Sequence, residues 1–241
     1  MQKLLDTRTG NDKIRKTQDN TPGVRIAGLS LMPDDIICAW RNAAKCRVLC
    51  LKHTGRGVFP NVIKSRQKKT DFWHNDELAF LAQLRRELIN FEKACRRDGL
   101  QPAVRLNVLS DIQWENYGIP QAFPNIILYD YTKHARRLAP GSTPDNYKLI
   151  FSYSGAPKYA GQVARAVKTD APISVVFKYI PTDPNYKFLD RPIINGDQSD
   201  LANVNAGRVI VGLKYKNAGV DAETVAASDF VVDPDLIARA A

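Results

Sequence analysis

Acidic residues are missing where the sequence is most basic. No Asp or Glu occurs between Ile36 and Thr70, yet Arg41, Lys45, Arg47, Lys52, Arg56, Lys64, Arg66, Lys68 and Lys69 all fall there. That segment carries +9 of a formal net charge of +10, so the other 206 of the 241 residues net only +1. Other scarcities exclude whole classes. No apolar run approaches the ~18 residues of a membrane-crossing helix. The opening MQKLLDTRTGNDKIRK has no continuous apolar stretch, so no secretory signal is expected and a cytoplasmic protein is. Four cysteines are too few for a disulfide scaffold and read as thiols or metal ligands. G-x-S-x-G, H-E-x-x-H and G-x-x-x-x-G-K-[ST] are absent, which leaves triad hydrolysis, zincin chemistry and P-loop phosphoryl transfer without support.

What is present is ordinary globular composition, 44% apolar and 25% charged, enough for one large domain. Residues 1–24 read as a polar N-terminal arm. From residue 25 on, β-rich runs alternate with helical or irregular segments: 25–32, 104–109, 125–131, 148–153, 173–179 and 208–215, with 48–52 a weaker candidate. Runs such as IILYDY, LIFSY and ISVVFKY are nearly continuous apolar stretches, as in parallel strands buried on both faces. Leu81, Leu84, Leu88, Phe91 and Cys95 share one face of a helix opening near Asn75 and stopping at Gly99. A second helix covers 159–168. The alternation predicts a single α/β domain over 25–241, an incomplete (β/α) barrel with a mostly parallel sheet of six to seven strands. The basic segment and three cysteines fall in a loop over 33–70. An open doubly wound sheet is the other arrangement, but G-x-G-x-x-G is missing after the first strand.

Cys38, Cys46 and Cys50 have the spacing C-x7-C-x3-C, and His53 follows closely. Three thiolates and an imidazole suit tetrahedral zinc, and three thiolates with an open iron suit a [4Fe–4S] cluster. Three buried thiols are the plain alternative, since free cysteine packs well. A three-cysteine loop after the first strand of a barrel is also how radical S-adenosylmethionine enzymes hold their cluster. Their usual spacing, C-x3-C-x2-C, is absent, so the analogy, and S-adenosylmethionine as cosubstrate, rests on placement alone.

Polar residues recur just beyond the apolar runs. Asp111 follows one, Asp130 and Lys133 close another, and in a parallel architecture such ends share one mouth. Asp111 and Asp130 are candidates for base or orienter, and Lys133 for binding phosphate or carboxylate. Helix capping by Asp and Ser accounts for the same pattern without chemistry. The nine basic residues are the candidate contacts to nucleic acid or a nucleotide, with a solvated basic face as the alternative.

The motifs LLDTRTGNDKIRKT, AGLSLMPDD, PAVRLNVLSDIQWE, FPNIILYDYTK, LIFSYSG and RPIINGDQSDL resemble the bacteriophage gene product 88-like proteins over about residues 3 to 215. The resemblance implies context, namely expression in a bacterial host cytoplasm near genes that act on DNA. It transfers no catalytic residue. Two readings stand: a metal- or iron–sulfur-dependent enzyme acting on nucleic acid or a nucleotide in DNA-modification-type chemistry, or a metal-stapled protein that binds nucleic acid or a host factor without catalysis.

Overall fold

The computed structural model describes residues 2–7 and 12–238. Ten strands occur among them: β1 (Leu5–Asp6), β2 (Val24–Leu29), β3 (Gln101–Arg105), β4 (Ile127–Thr132), β5 (Tyr147–Ser152), β6 (Ile173–Phe177), β7 (Lys187–Phe188), β8 (Arg191–Asn195), β9 (Ile210–Lys214) and β10 (Val231–Val232). The helices are α1 (Asp12–Asp19), α2 (Pro60–Asn75), α3 (Glu77–Arg97), α4 (Ile119–Ala122), α5 (Ala160–Ala166), α6 (Asp200–Asn203), α7 (Ala222–Ala227) and α8 (Pro234–Ala238).

One mixed α/β sheet runs β1-β2-β3-β4-β5-β6-β9-β8-β7, and its two ends do not pair, so it is not closed. From β2 through β9 every pairing is parallel, and only β1 and β7 join antiparallel at the edges. Five of the six apolar runs correspond to β2, β4, β5, β6 and β9; the run over 104–109 meets β3 only at Val104 and Arg105, because that strand begins earlier, at Gln101, and ends at Arg105. The candidate over 48–52 is no strand: it leads into a 3-10 turn at Leu51–His53. Residues 1–24 are more than an arm. They supply β1 and α1, and Leu4, Leu5 and Ile14 are buried.

Strand alternation divides the side chains between two faces. On one, Ala27, Leu29, Val104, Leu106 and Leu128 pack against Phe80, Leu84, Leu88, Phe91 and Cys95 of α3. On the other, Ile26, Ala103, Tyr129 and Ile150 meet Ile14 of α1 and Leu201 of α6. Both faces being covered is why the strands read as continuous apolar runs. The amphipathic helix forms as its pattern predicts, except that Asp76, not Asn75, caps α3 by accepting a hydrogen bond from the Ala79 amide at 2.9 Å. Helix α2 ends one residue earlier.

Two devices shape the upper end of the sheet. β5 stops at Ser152, paired with Ser174 of β6. Two residues further along β6, β10 pairs with Val176 and Phe177. The chain's C-terminal return thus continues the line of β5 and brings Phe230 over its end. The other device is the segment from Cys38 through α2. Its 3-10 turns at Leu51–His53 and Gly55–Val58 pack so closely that a Cβ on Gly57 would lie 2.8 Å from the Lys52 carbonyl oxygen.

Candidate functional site

A cavity of about 950 Å³ opens at the C-terminal ends of the parallel strands. Its floor is the inner face of the sheet, with Arg105, Tyr131, Ser174 and Val176 facing it together with Ile14 of α1. Its walls are the loop after β3, the segment from Cys38 to Lys69, and the C-terminal return through Phe230. Seven cationic side chains line it (Arg56, Arg66, Lys69, Arg105, Lys133, Lys214, Lys216) against three carboxylates (Asp6, Asp111, Asp197).

Cys38, Cys46, Cys50, Asp111 and Lys133 all reach this cavity. Asp111 receives the Lys133 backbone N–H on Oδ2 at 2.7 Å and Arg137 Nη1 on Oδ1 at 3.1 Å. Arg137 also forks onto Glu115 at 2.7 and 2.9 Å. These bonds tie the loop after β3 to the end of β4. His134 stands behind, with Nε2 3.9 Å from Asp111, and Trp40 Nε1–H donates to its Nδ1 at 3.0 Å. Burial lowers its pKa, and because Nδ1 accepts from Trp40, a neutral ring carries its proton on Nε2.

Asp130 does not line the cavity. Within β4 it is an even-numbered residue, and alternation turns it to the face opposite Tyr129, Tyr131 and Lys133. There it is wholly buried and accepts from the Asn107 amide at 2.7 Å, from Asn107 Nδ2 at 3.2 Å and from the Tyr147 hydroxyl at 2.6 Å. Burial pushes its pKa up to about 7 despite these donors. Its position pins Asn107, whose Oδ1 in turn accepts from Ser110, Ile112 and Trp114.

The three thiols share a wall but do not form a ready metal set. Burial, then the charge of Asp111, pushes Cys38 up to about 12, with Cys46 and Cys50 among the further causes. Burial likewise raises Cys50. His53 is exposed and off the cavity lining. Among the described residues no three His, Cys, Asp or Glu side chains are grouped so as to hold an ion. Cys95 lies in the core, on the buried face of α3.

The nine basic residues separate by their partners. Arg41 is buried on Asp35 at 2.5 Å and the Pro33 carbonyl at 2.7 Å. Lys45 pairs with Asp229 at 2.8 Å, and Lys69 is buried against the Leu4 carbonyl at 2.8 Å, with Asp6 at 3.5 Å. Among the described residues Arg47, Lys52, Arg56, Lys64, Arg66 and Lys68 have no such ion pair. Arg56 and Arg66 line the cavity, and Arg66 Nη1 is buried without a hydrogen-bond partner.

Arg105 and Tyr131 are the site residues that the sequence reading overlooks. Arg105 Nη1 pairs with Asp200 at 2.7 Å, Tyr131 donates to the same carboxylate at 2.8 Å, and the guanidinium lies 4.7 Å over the Tyr131 ring. The signal was an arginine inside the apolar run PAVRL, at a position that alternation points to the α1 face.

A family model described as Gene product 88 matches residues 3–231. No curated protein and no solved structure matches. The placement analogy with radical S-adenosylmethionine barrels therefore gains no support. No helix among the described residues is long and apolar enough to cross a membrane.

Proposed function

The chain belongs to the Gene product 88 family, and from that premise we propose that it is a phage-encoded enzyme that takes a nucleotide, free or within a nucleic acid, into the cavity at its strand ends. The observation that carries this reading is the single mouth shared by three thiols, Asp111, Lys133 and an excess of cations. In an architecture read as an incomplete barrel, chemistry sits at that end. A volume of about 950 Å³ is ample for a nucleotide. The rim adds a surface suited to unstacked bases. Phe59, 51% exposed, stands on the segment that carries Arg56, Lys64 and Arg66, and an aromatic face among cations is what single strands stack on.

Within the same proposal, Cys38, Cys46 and Cys50 are the holders of zinc or a [4Fe–4S] cluster. Their common wall supports this. It requires the loop over 38–50 to draw the sulfurs together, and His53 to turn inward if it takes part. The second reading, a binding protein without catalysis, is favoured by Asp111, both of whose oxygens are already engaged.

Protein purified without oxygen tests both parts. It is expected to retain single-stranded nucleic acid at low salt and lose it steeply as salt rises, because neutralised phosphates release counterions. Charge reversal at Lys64, Arg66 and Lys68 should lower the slope of log K against log salt by about two to three. Arg41→Ala should act on stability rather than on that slope. Iron with sulfide, or zinc, should co-purify and be lost on replacing Cys38, Cys46 or Cys50 by Ala, but not Cys95. Absence of nucleic-acid and nucleotide binding defeats the functional reading, and freely titrating thiols without metal defeat the metal part.

A further inference from the structure

Lys133 is placed in a way that its structural bonds do not explain. Its residue is 7% exposed, yet among the described residues no carboxylate meets its ammonium. Nζ donates to Ser152 Oγ at 3.0 Å, and the Ser152 carbonyl lies at 3.5 Å, the outer limit of a hydrogen bond. Two aromatic faces flank it, Tyr159 with its centroid at 5.4 Å and Phe230 at 4.9 Å. Asp111, the acid linked to this residue, spends Oδ2 on the Lys133 backbone N–H and Oδ1 on Arg137. The Tyr159 hydroxyl is committed to the carbonyls of Lys133 and Ser152, at 2.9 and 3.1 Å, and so locks the two strand ends together. A desolvated ammonium with no counterion is costly. Here it is bonded to Ser152, flanked by two rings and lines the cavity.

We infer that Lys133 Nζ and the Ser152 hydroxyl form the seat for the terminal phosphate of a nucleotide at the inner wall of the cavity. Because Ser152 Oγ accepts from Lys133, its own hydrogen is left to donate, so an ammonium and a hydroxyl present donors side by side. That pair suits an anion with several acceptor oxygens. The depth of Lys133 selects which phosphate arrives. An internal phosphodiester of a duplex is flanked by sugar and base pairs on both sides and stays at the rim. A monoester at a strand end or on a free nucleotide reaches inward. This inference rests on the proposed nucleotide reading and narrows it to phosphate-terminated substrates.

The test uses the full chain and calorimetric titration. The probes are an oligothymidine with a 5′-phosphate, its 5′-hydroxyl twin, inorganic phosphate and citrate. The phosphorylated strand is expected to bind roughly 10- to 100-fold more tightly than its twin, as suits a charge-assisted contact. Lys133→Met, which keeps the stem between the rings, should erase that difference, and Lys133→Arg should restore part of it. Ser152→Ala, which leaves the ammonium in place, should reduce it and covers the case in which Lys133→Met does not fold. Inorganic phosphate should compete in the native protein. Equal binding of the two strands, unchanged in Lys133→Met, overturns the seat and leaves the nucleotide reading standing. Lys133-dependent binding of citrate without binding of phosphate or either strand overturns the nucleotide reading and makes the seat a carboxylate site. Binding of none of the four probes overturns both.

Discussion

Asp130 holds its proton to a far higher pH than a free carboxyl, and that has a consequence for stability. Burial raises its pKa to about 7 in the folded protein, against about 3.9 in the unfolded chain. Between those values the native state keeps a proton that the unfolded state has lost. The contribution is therefore fully present below about pH 4 and is lost as pH rises through about 7. Asp130→Asn removes the titration, so its stability relative to the native protein should climb by about 1.4 kcal/mol per pH unit in the middle of that window. Denaturant melts of both proteins between pH 4.5 and 6.5 measure the difference, and a flat one rejects a protonated carboxyl. Strand alternation alone could have separated Asp130 from Tyr131 and Lys133 and brought Arg105 to the inner face. It could not have shown that Arg41, Lys45 and Lys69 are neutralised, because Asp35, Asp229 and Asp6 all lie outside the basic segment.

Elements differ in how openly the chain announces them. The strands β2 to β6 and β9 and the helix α3 carry the burial that produces periodicity, and each is visible in the pattern. Helix α2 is not, because Lys69, Thr70 and Trp73 are the residues it buries along sixteen positions. Its role is to stand over the cavity and present cations. The strands β1, β7 and β10 have two residues each and exist only through their partners. The α2–α3 junction is set by local chemistry that the sequence itself carries. Asp76 interrupts the helix, its amide still bonds the Phe72 carbonyl at 3.0 Å, and its carboxylate caps the next helix. Asp76→Ala should cost about 1 kcal/mol and lower the melting temperature by roughly 2–4 °C. Asp76→Ser should recover most of it. Thermal scans of the three proteins decide this, and equal melting points would mean the cap is idle.

At the scale of the whole molecule, the parallel sheet and the mouth above it have different kinds of support. The central strands are buried on both faces by α3, α5, α1 and α6. The mouth is assembled from connections: the segment over 38–69, the loop after β3 and the C-terminal return. It is fastened by contacts such as the Lys45–Asp229 ion pair and the bond from the Gly155 amide to the Asp229 carbonyl at 2.7 Å. The ion pair is half-exposed and adds less than about 1 kcal/mol. Ala44, Cys46 and Leu49 of the first of these segments are buried, but Leu51, Val58, Phe59 and Ile63 stay exposed along its later part. Local opening draws on such weakly packed parts first. Amide hydrogen exchange should therefore be fast over residues 50–66 and 228–232 and slow in β3 to β6. A ligand seated between the strand ends and Phe230 must close both mouth segments on itself. Adding the 5′-phosphorylated oligothymidine should slow exchange in both together and leave the already protected strands unchanged. Protection confined to α2 would place the strand on the outer basic surface, and protection of neither segment would mean the cavity takes no nucleotide.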